Sequence, residues 1–192
     1  VQAVLITLAI IVGLAVVLAL MFVGIYNKLV ALKNEVEASW AQIDVQLKRR
    51  YDLIPNLVET VKGYASHEKE TLERVIQARN AALGALQQGN PTAVGQAEGM
   101  VANAMRGLFG LSEAYPDLKA NQNFAMLQEE LTSTENKVAF ARQFYNDRTG
   151  VYNTRIASFP DLVVAGMFQF TRKDFFEVVE TEVREAPKVS FS

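Results

Sequence analysis

The chain has 192 residues and a mass of 21.3 kDa, with 19 basic and 21 acidic side chains, a net charge of −2 and no cysteine. Disulfide scaffolds, thiolate metal sites and cysteine nucleophiles are therefore excluded, and the lack of a basic excess argues against a nucleic-acid binder. Every charged side chain lies at or after Lys28, so a membrane-type segment followed by one soluble domain is the expected content.

Residues 1–25 depart from Ala, Val, Leu, Ile, Met and Phe only at Gln2, Thr7, Gly13 and Gly24. At 1.5 Å per residue such a run reaches about 37 Å, enough for a hydrocarbon core of about 30 Å. No basic start and no small-residue cleavage site accompany it, so a retained anchor is expected over residues 1–27 rather than a signal peptide. The chain starts at Val1, and a few preceding residues are expected. Lys28 and Lys33 follow the span, which places the rest of the chain in the cytoplasm by the positive-inside rule.

From Leu29 the apolar residues fall at Leu32, Val36, Trp40, Ile43, Leu47, Tyr51, Ile54, Val58 and Val61. Steps of three and four predict one long helix to about Tyr64, bent where Pro55 removes a backbone donor. Ser66 is the expected N-cap of a second helix, His67 to Gln88, with Leu72, Val75, Ile76, Ala82, Leu83 and Leu86 on its apolar face. Asn90-Pro91 reads as the cap and first position of a third, Ala- and Gly-rich helix. Ala114-Tyr115-Pro116-Asp117 breaks the chain.

A further long helix is predicted from Asn121 to Ser158, with Phe124, Leu127, Leu131, Val138, Ala141, Tyr145, Tyr152 and Ile156 as its core positions. Gly150 weakens it by about 1 kcal/mol relative to alanine. Phe159-Pro160 ends it. An apolar, aromatic stretch over 161–176 follows, then a short acidic helix from Phe175 to Glu185 and an extended tail. Alternating Val/Ile/Thr-rich runs are missing, so a sheet is not expected. The resulting fold class is all-α: an N-terminal transmembrane helix (1–27) continuing into an elongated antiparallel bundle of about four long helices (28–158), then the apolar C-terminal segment, short helix and tail (159–192).

Several blocks carry a resemblance. Asp44 to Glu73 (DVQLKRRYDLIPNLVETVKGYASHEKETLE), Ala114 to Phe124 (AYPDLKANQNF), Leu127 to Asp147 (LQEELTSTENKVAFARQFYND), Tyr152 to Ile156 (YNTRI) and Arg184 to Phe191 (REAPKVSF) resemble the LemA family. The resemblance covers nearly the whole chain in order. It implies a single-pass bacterial inner-membrane protein with a helical soluble domain and no established catalytic function. Relatives in magnetosome membranes imply, by analogy, a role in membrane organisation. Arg148-Thr149-Gly150 departs from the family pattern, where helix-favouring residues are usual, which puts the straightness of the last long helix in question.

The inventory for chemistry is thin. His67, the single histidine, falls at a predicted helix start and reads as a surface residue. Glu129, Glu130 and Glu135 form the densest acidic group of the last long helix, but a bundle di-metal site needs two histidines. Neither a nucleophile elbow nor a phosphate-binding loop is present. No enzyme activity, cofactor or metal is expected. Lys48-Arg49-Arg50 reads as a solvated cluster or as a match for a partner's acidic patch rather than for lipid.

The candidate contacts are structural. Tyr145-Asn146 and Tyr152-Asn153 repeat at seven residues and share a face, with Asn56, Asn136, Gln42 and Gln46 able to meet them across the bundle and fix its register, or to form a subunit interface. Trp40 joins this set. Phe168, Phe170, Phe175, Phe176 and Phe191 represent apolar surface that docks on a neighbour, on the membrane surface or back on the bundle. The expected role is a membrane-anchored scaffold that self-associates, with the lipid bilayer and further copies of itself as partners. The alternative is a monomeric or dimeric adaptor or sensor for another membrane protein, such as a protease or signalling partner. Nucleic acid is not among the expected partners.

Overall fold

The computed structural model describes residues 1–178, and within them the chain is all-α, with no strand. In chain order the helices are α1 (Gln2–Lys62), α2 (Lys69–Gln88), α3 (Pro91–Ala114), α4 (Pro116–Lys119), α5 (Gln122–Ala157) and α6 (Asp161–Met167). The tail predicted over 186–191 and most of the acidic helix predicted to Glu185 lie outside the described residues.

The chain divides into two compact units. The first combines Val1–Ser39 with Tyr145–Lys173. Its α1 portion opens with the apolar run, which is long and apolar enough to cross a membrane, and none of that window is buried. Beyond it Leu29 and Val36 turn inward, as the helical period predicted, and the second half of α5 contributes Tyr145, Tyr152 and Ile156 to the same core. Arg148 reaches Glu35 at 3.2 Å and Thr149 is fully buried, so the stretch that departs from the family pattern is packed into the helix wall, and α5 continues through Gly150 to Ala157. A cis Phe159–Pro160 bond leads into α6.

The second unit combines Trp40–Phe144 with the described residues from Asp174. Ile43, Leu47, Tyr51, Ile54, Leu57, Val58 and Val61 of α1 form its central stripe. α2 and α3 pack on each other as a tight helical hairpin. Gly89, at φ 65°, closes α2 in the left-handed conformation that glycine adopts without a Cβ clash. Asn90 then caps α3 by accepting hydrogen bonds from the Thr92 and Ala93 amides, and Pro91 occupies the first turn. Asn121 does the same for α5 through the Phe124 amide at 2.9 Å. Leu118 of the short α4 is fully buried and pins the connection between α3 and α5.

Three expectations are corrected. α2 starts at Lys69, not His67, and Ser66 does not cap it. The buried Ala65 accepts the Glu68 amide in a turn, so the first helical bond is Leu72 N–H to the Glu68 carbonyl. The apolar stretch after Pro160 contains a helix of its own, α6, because Asp161, Val164 and Ala165 recur at helical spacing on a buried face. Residues 171–178 are not helical, so no helix starts at Phe175. Side-chain bonds from α5 occupy the Lys173 amide and carbonyl and the Thr171 carbonyl, backbone groups that helical turns would otherwise use.

Candidate functional site

In the first unit, the seven-residue repeat on α5 forms a clamp. Asn153 brackets Lys173: its Nδ2 donates to the Lys173 carbonyl at 2.8 Å, and its Oδ1 accepts from the Lys173 amide at 2.9 Å. From the adjacent position, the Tyr152 phenol donates to the Thr171 carbonyl at 3.0 Å. Burial, and secondarily the charge of Glu37, push the Tyr152 phenol above the usual tyrosine range, so it stays a proton donor. The buried amide therefore meets the backbone of its own chain's C-terminal segment. Tyr145 is buried and Asn146 half-buried on the same face.

Several of the aromatic residues expected to dock on a neighbour, on the membrane surface or back on the bundle make ring contacts within the chain. Phe168 lies against Tyr26 with ring centroids 4.6 Å apart and against Phe22 at 5.9 Å, and Phe170 meets Tyr26 at 6.0 Å. In the second unit, Phe176 is fully buried and meets Trp40 edge-on at 5.9 Å. This stretch crosses α3 at Gly95, where a Cβ would overlap the Glu177 carbonyl group. Only glycine permits that approach. Phe175 is 43% exposed. Phe191 lies outside the described residues.

Asn56 and Asn136 are exposed, so they take no part in a buried network within one chain, which leaves the subunit-interface alternative for them. The buried polar centre of the second unit lies elsewhere. Arg50 Nη1 donates to Glu98 Oε2 at 2.7 Å, and the Tyr51 phenol donates to Glu98 Oε1 at 2.6 Å. Both charged side chains are sealed from solvent. Burial, reinforced by the Glu98 charge, raises the Tyr51 phenol far above the usual tyrosine range. Arg79 of α2 adds an Nε bond of 2.7 Å to the Tyr51 carbonyl.

Within the basic run of α1 only Arg50 departs from the solvated reading, because it is buried against Glu98, while Lys48 and Arg49 stay more than half exposed in surface ion pairs. Lys48 pairs with Asp44 at 2.6 Å, Arg49 with Glu130 at 2.7 Å and Arg50 with Glu98. One sequence signal was available. Arg50 lies beside Tyr51 on the stripe of Leu47 and Ile54, and Glu98 falls on the stripe of Val94, Val101 and Met105. A charge in step with a buried stripe announces a buried pair.

The second unit also carries an open groove of about 800 Å³ between α1 and α5, lined by Val45, Gln46, Ser133, Asn136, Lys137 and Phe140 among others. Phe140 is 75% and Val45 59% exposed, while the buried Gln46 Oε1 has no hydrogen-bond partner. His67 is exposed in the α1–α2 connection, and among the described residues no three metal-ligating side chains converge.

The LemA family model matches residues 39–191. Magnetosome protein MamQ 2 of Paramagnetospirillum magneticum is 23% identical over 175 residues, covering 79% of this chain and 64% of that protein. Magnetosome protein MamQ of Magnetospirillum gryphiswaldense is 24% identical over 174 residues, with the same two coverages of 79% and 64%. Protein LemA of Metamycoplasma hominis is 25% identical over 162 residues, covering 84% of this chain and 73% of the other. The chain thus spans slightly under two thirds of the length of its magnetosome relatives.

Proposed function

The chain belongs to the LemA family, and from that premise we propose that it is a non-catalytic, membrane-anchored helical scaffold that self-associates in the plane of the membrane and takes part in membrane organisation. The anchor reading is supported by the exposed apolar run of α1 and by relatives named as magnetosome proteins. Lys28 and Lys33, directly after that run, favour a cytoplasmic soluble part.

One observation carries self-association: the α1–α5 groove, in which the large apolar side chains of Phe140 and Val45 stand open. Apolar side chains grouped in an open groove gain by meeting a protein surface that excludes water. Tethering every copy to one membrane raises their effective concentration, so a modest contact suffices for assembly. The contacts first considered for this role, Trp40 and Tyr145, are engaged within the chain and are poor probes of assembly.

The test is the particle mass of the full chain in a mild detergent and in nanodiscs, for the natural sequence and for Phe140→Asp. A discrete multimer that dissociates in the variant is the expected result. A monomer in both would remove the scaffold reading. Capture of one stoichiometric membrane-protein partner by that monomer would then establish the adaptor reading.

A further inference from the structure

α6 has two faces of opposite environment. Asp161, Val164 and Ala165 are buried, while Leu162, Val163, Gly166 and Met167 are exposed. No outward-facing residue of the helix has a polar side chain. Leu162 is 52%, Val163 54% and Met167 66% exposed, and Phe159 at 85% and Phe168 at 49% extend the patch at either end. The one charged residue of the helix, Asp161, faces inward and pairs with Arg155. In water such a face is unfavourable.

The depth of this face is fixed by the first unit's own contacts. The Phe168 ring, directly after α6, rests on Phe22 and Tyr26. Phe22 lies in the last turn of the apolar run and Tyr26 follows its end. That is the level where hydrocarbon gives way to headgroups and where aromatic rings collect. Polarity rises just beyond that level: the residues Lys33, Asn34, Gln169 and Lys173, with Tyr26, line a small open pocket of about 380 Å³. Lys28 and Arg172, both exposed, add cationic charge close by in sequence.

We propose that the exposed face of α6, with Phe159 and Phe168, lies in the acyl–headgroup boundary of the bilayer that α1 crosses, as a second, in-plane membrane contact. The inference rests on the anchor reading. The occupant is lipid rather than a second copy because the patch is continuous with the span through Phe168, Phe22 and Tyr26, at a depth where lipid is the surrounding medium. Seven residues are too few to bind a membrane unaided. On an anchored chain they stop the first unit from rotating freely about the span.

The test exploits the absence of cysteine. Full-length variants with a single cysteine, Met167→Cys, Val163→Cys, Leu14→Cys and Met126→Cys, are labelled with an environment-sensitive nitrobenzoxadiazole dye. They are reconstituted in phosphatidylcholine vesicles containing a minority of phosphatidylglycerol. Lecithin with a nitroxide placed shallow or deep in the chain serves as quencher. The expected result is a blue shift and loss of most emission at Met167→Cys and Val163→Cys with the shallow quencher. Leu14→Cys then responds most to the deep one and Met126→Cys to neither. A water-like, unquenched label on α6 beside a quenched Leu14 label overturns the in-plane contact and leaves the anchor standing. A blue-shifted but unquenched α6 label also overturns it, because protein then covers the face. An unquenched Leu14 label overturns the anchor itself, and this inference with it.

Discussion

Arg79 of α2 donates its Nε–H to the main-chain carbonyl of Tyr51 at 2.7 Å. In a regular helix that carbonyl would accept from residue 55, four places on, but residue 55 is proline and has no amide hydrogen. The guanidinium supplies the missing donor from a neighbouring helix, and α1 remains helical through Pro55 to Lys62. A helix-breaking residue is accommodated because tertiary structure satisfies the acceptor it strands.

That relationship predicts coupling between two residues that are not bonded to each other. Arg79→Met should destabilise the chain by about 1–3 kcal/mol, the usual range for a stranded buried acceptor. In a Pro55→Ala background the new amide takes the carbonyl, and the same substitution should cost about 1 kcal/mol less. Urea unfolding of the four members of this cycle measures the coupling. Equal losses in both backgrounds would show that Arg79 acts elsewhere.

The Arg50–Glu98 pair predicts an asymmetry. Glu98→Leu leaves the Arg50 guanidinium buried without its counter-charge, which should cost about 3–5 kcal/mol. Replacing both, with Arg50→Met and Glu98→Leu, removes the uncompensated charge and should recover most of that loss. A double variant as unstable as the single one, by denaturant midpoint at unchanged slope, would mean that packing and the Tyr51 hydroxyl, which loses its Glu98 acceptor in both, outweigh the charge.

Tyr51 gives the pH dependence its sign. Its folded-state pKa is raised, by burial first and the Glu98 charge second, above an ordinary value of 10.0. The stabilisation is therefore fully present below about pH 10. Above that the unfolded chain releases the phenolic proton while the folded chain keeps it. Stability should fall there by up to about 1.4 kcal/mol per pH unit for this group. Unfolding at about pH 9 and about pH 11 should show a shallower decline for Tyr51→Phe than for the natural chain, since the other tyrosines and the lysines titrate in both. Identical declines would remove Tyr51 from the account.

Two glycines should respond in opposite directions to the same change. Gly95→Ala places a Cβ into the Glu177 carbonyl, so the C-terminal stretch must lift from α3 and loosen Phe176 from Trp40. A loss of about 1–3 kcal/mol is expected, with a red shift in the emission of Trp40, the single tryptophan. Gly84→Ala adds its Cβ where nothing lies within 4 Å, inside α2, and should stabilise by about 0.8–1 kcal/mol. A neutral Gly95→Ala would show that the crossing is not close in solution.

The helices were legible because each carries a local signal. Leu29, Val36, Ile43, Leu47, Tyr51, Ile54, Val58 and Val61 repeat at helical spacing and are all buried. Asn90-Pro91 and Asn121 mark starts through capping chemistry that needs only near neighbours. The contacts were less legible. The seven-residue spacing of Tyr145 and Tyr152 identified a shared face, but Tyr152 and Asn153 bind backbone groups of residues 171 and 173, and backbone groups leave no trace in side-chain patterns. Arg50 was obscured by the adjacent Lys48 and Arg49, and only its register with Leu47 and Tyr51 set it apart. The exposed Asn56 and Asn136 show the converse: helical spacing indicates a face without saying what that face meets.

The Asn153 clamp makes the last prediction. Its side chain holds both backbone groups of Lys173 in a site where Asn153 is buried, and Arg172 is exposed beside it. A protease must draw the peptide bond it cuts into an extended, unpaired form, so cleavage after Arg172 or Lys173 requires both bonds to open. Asn153→Ala removes the two bonds at once and should raise the population of the released segment about tenfold or more, on the scale of 1–3 kcal/mol for lost buried hydrogen bonds. Asn153→Asp keeps the acceptor for the Lys173 amide but sets a carboxylate oxygen against the Lys173 carbonyl in a buried site, so it should also release the segment relative to the natural chain. Limited trypsin digestion with mass detection of the cut gives the order directly. Equal rates for all three chains would place the control of this segment in the Phe168 and Phe170 ring contacts with Tyr26 rather than in the amide.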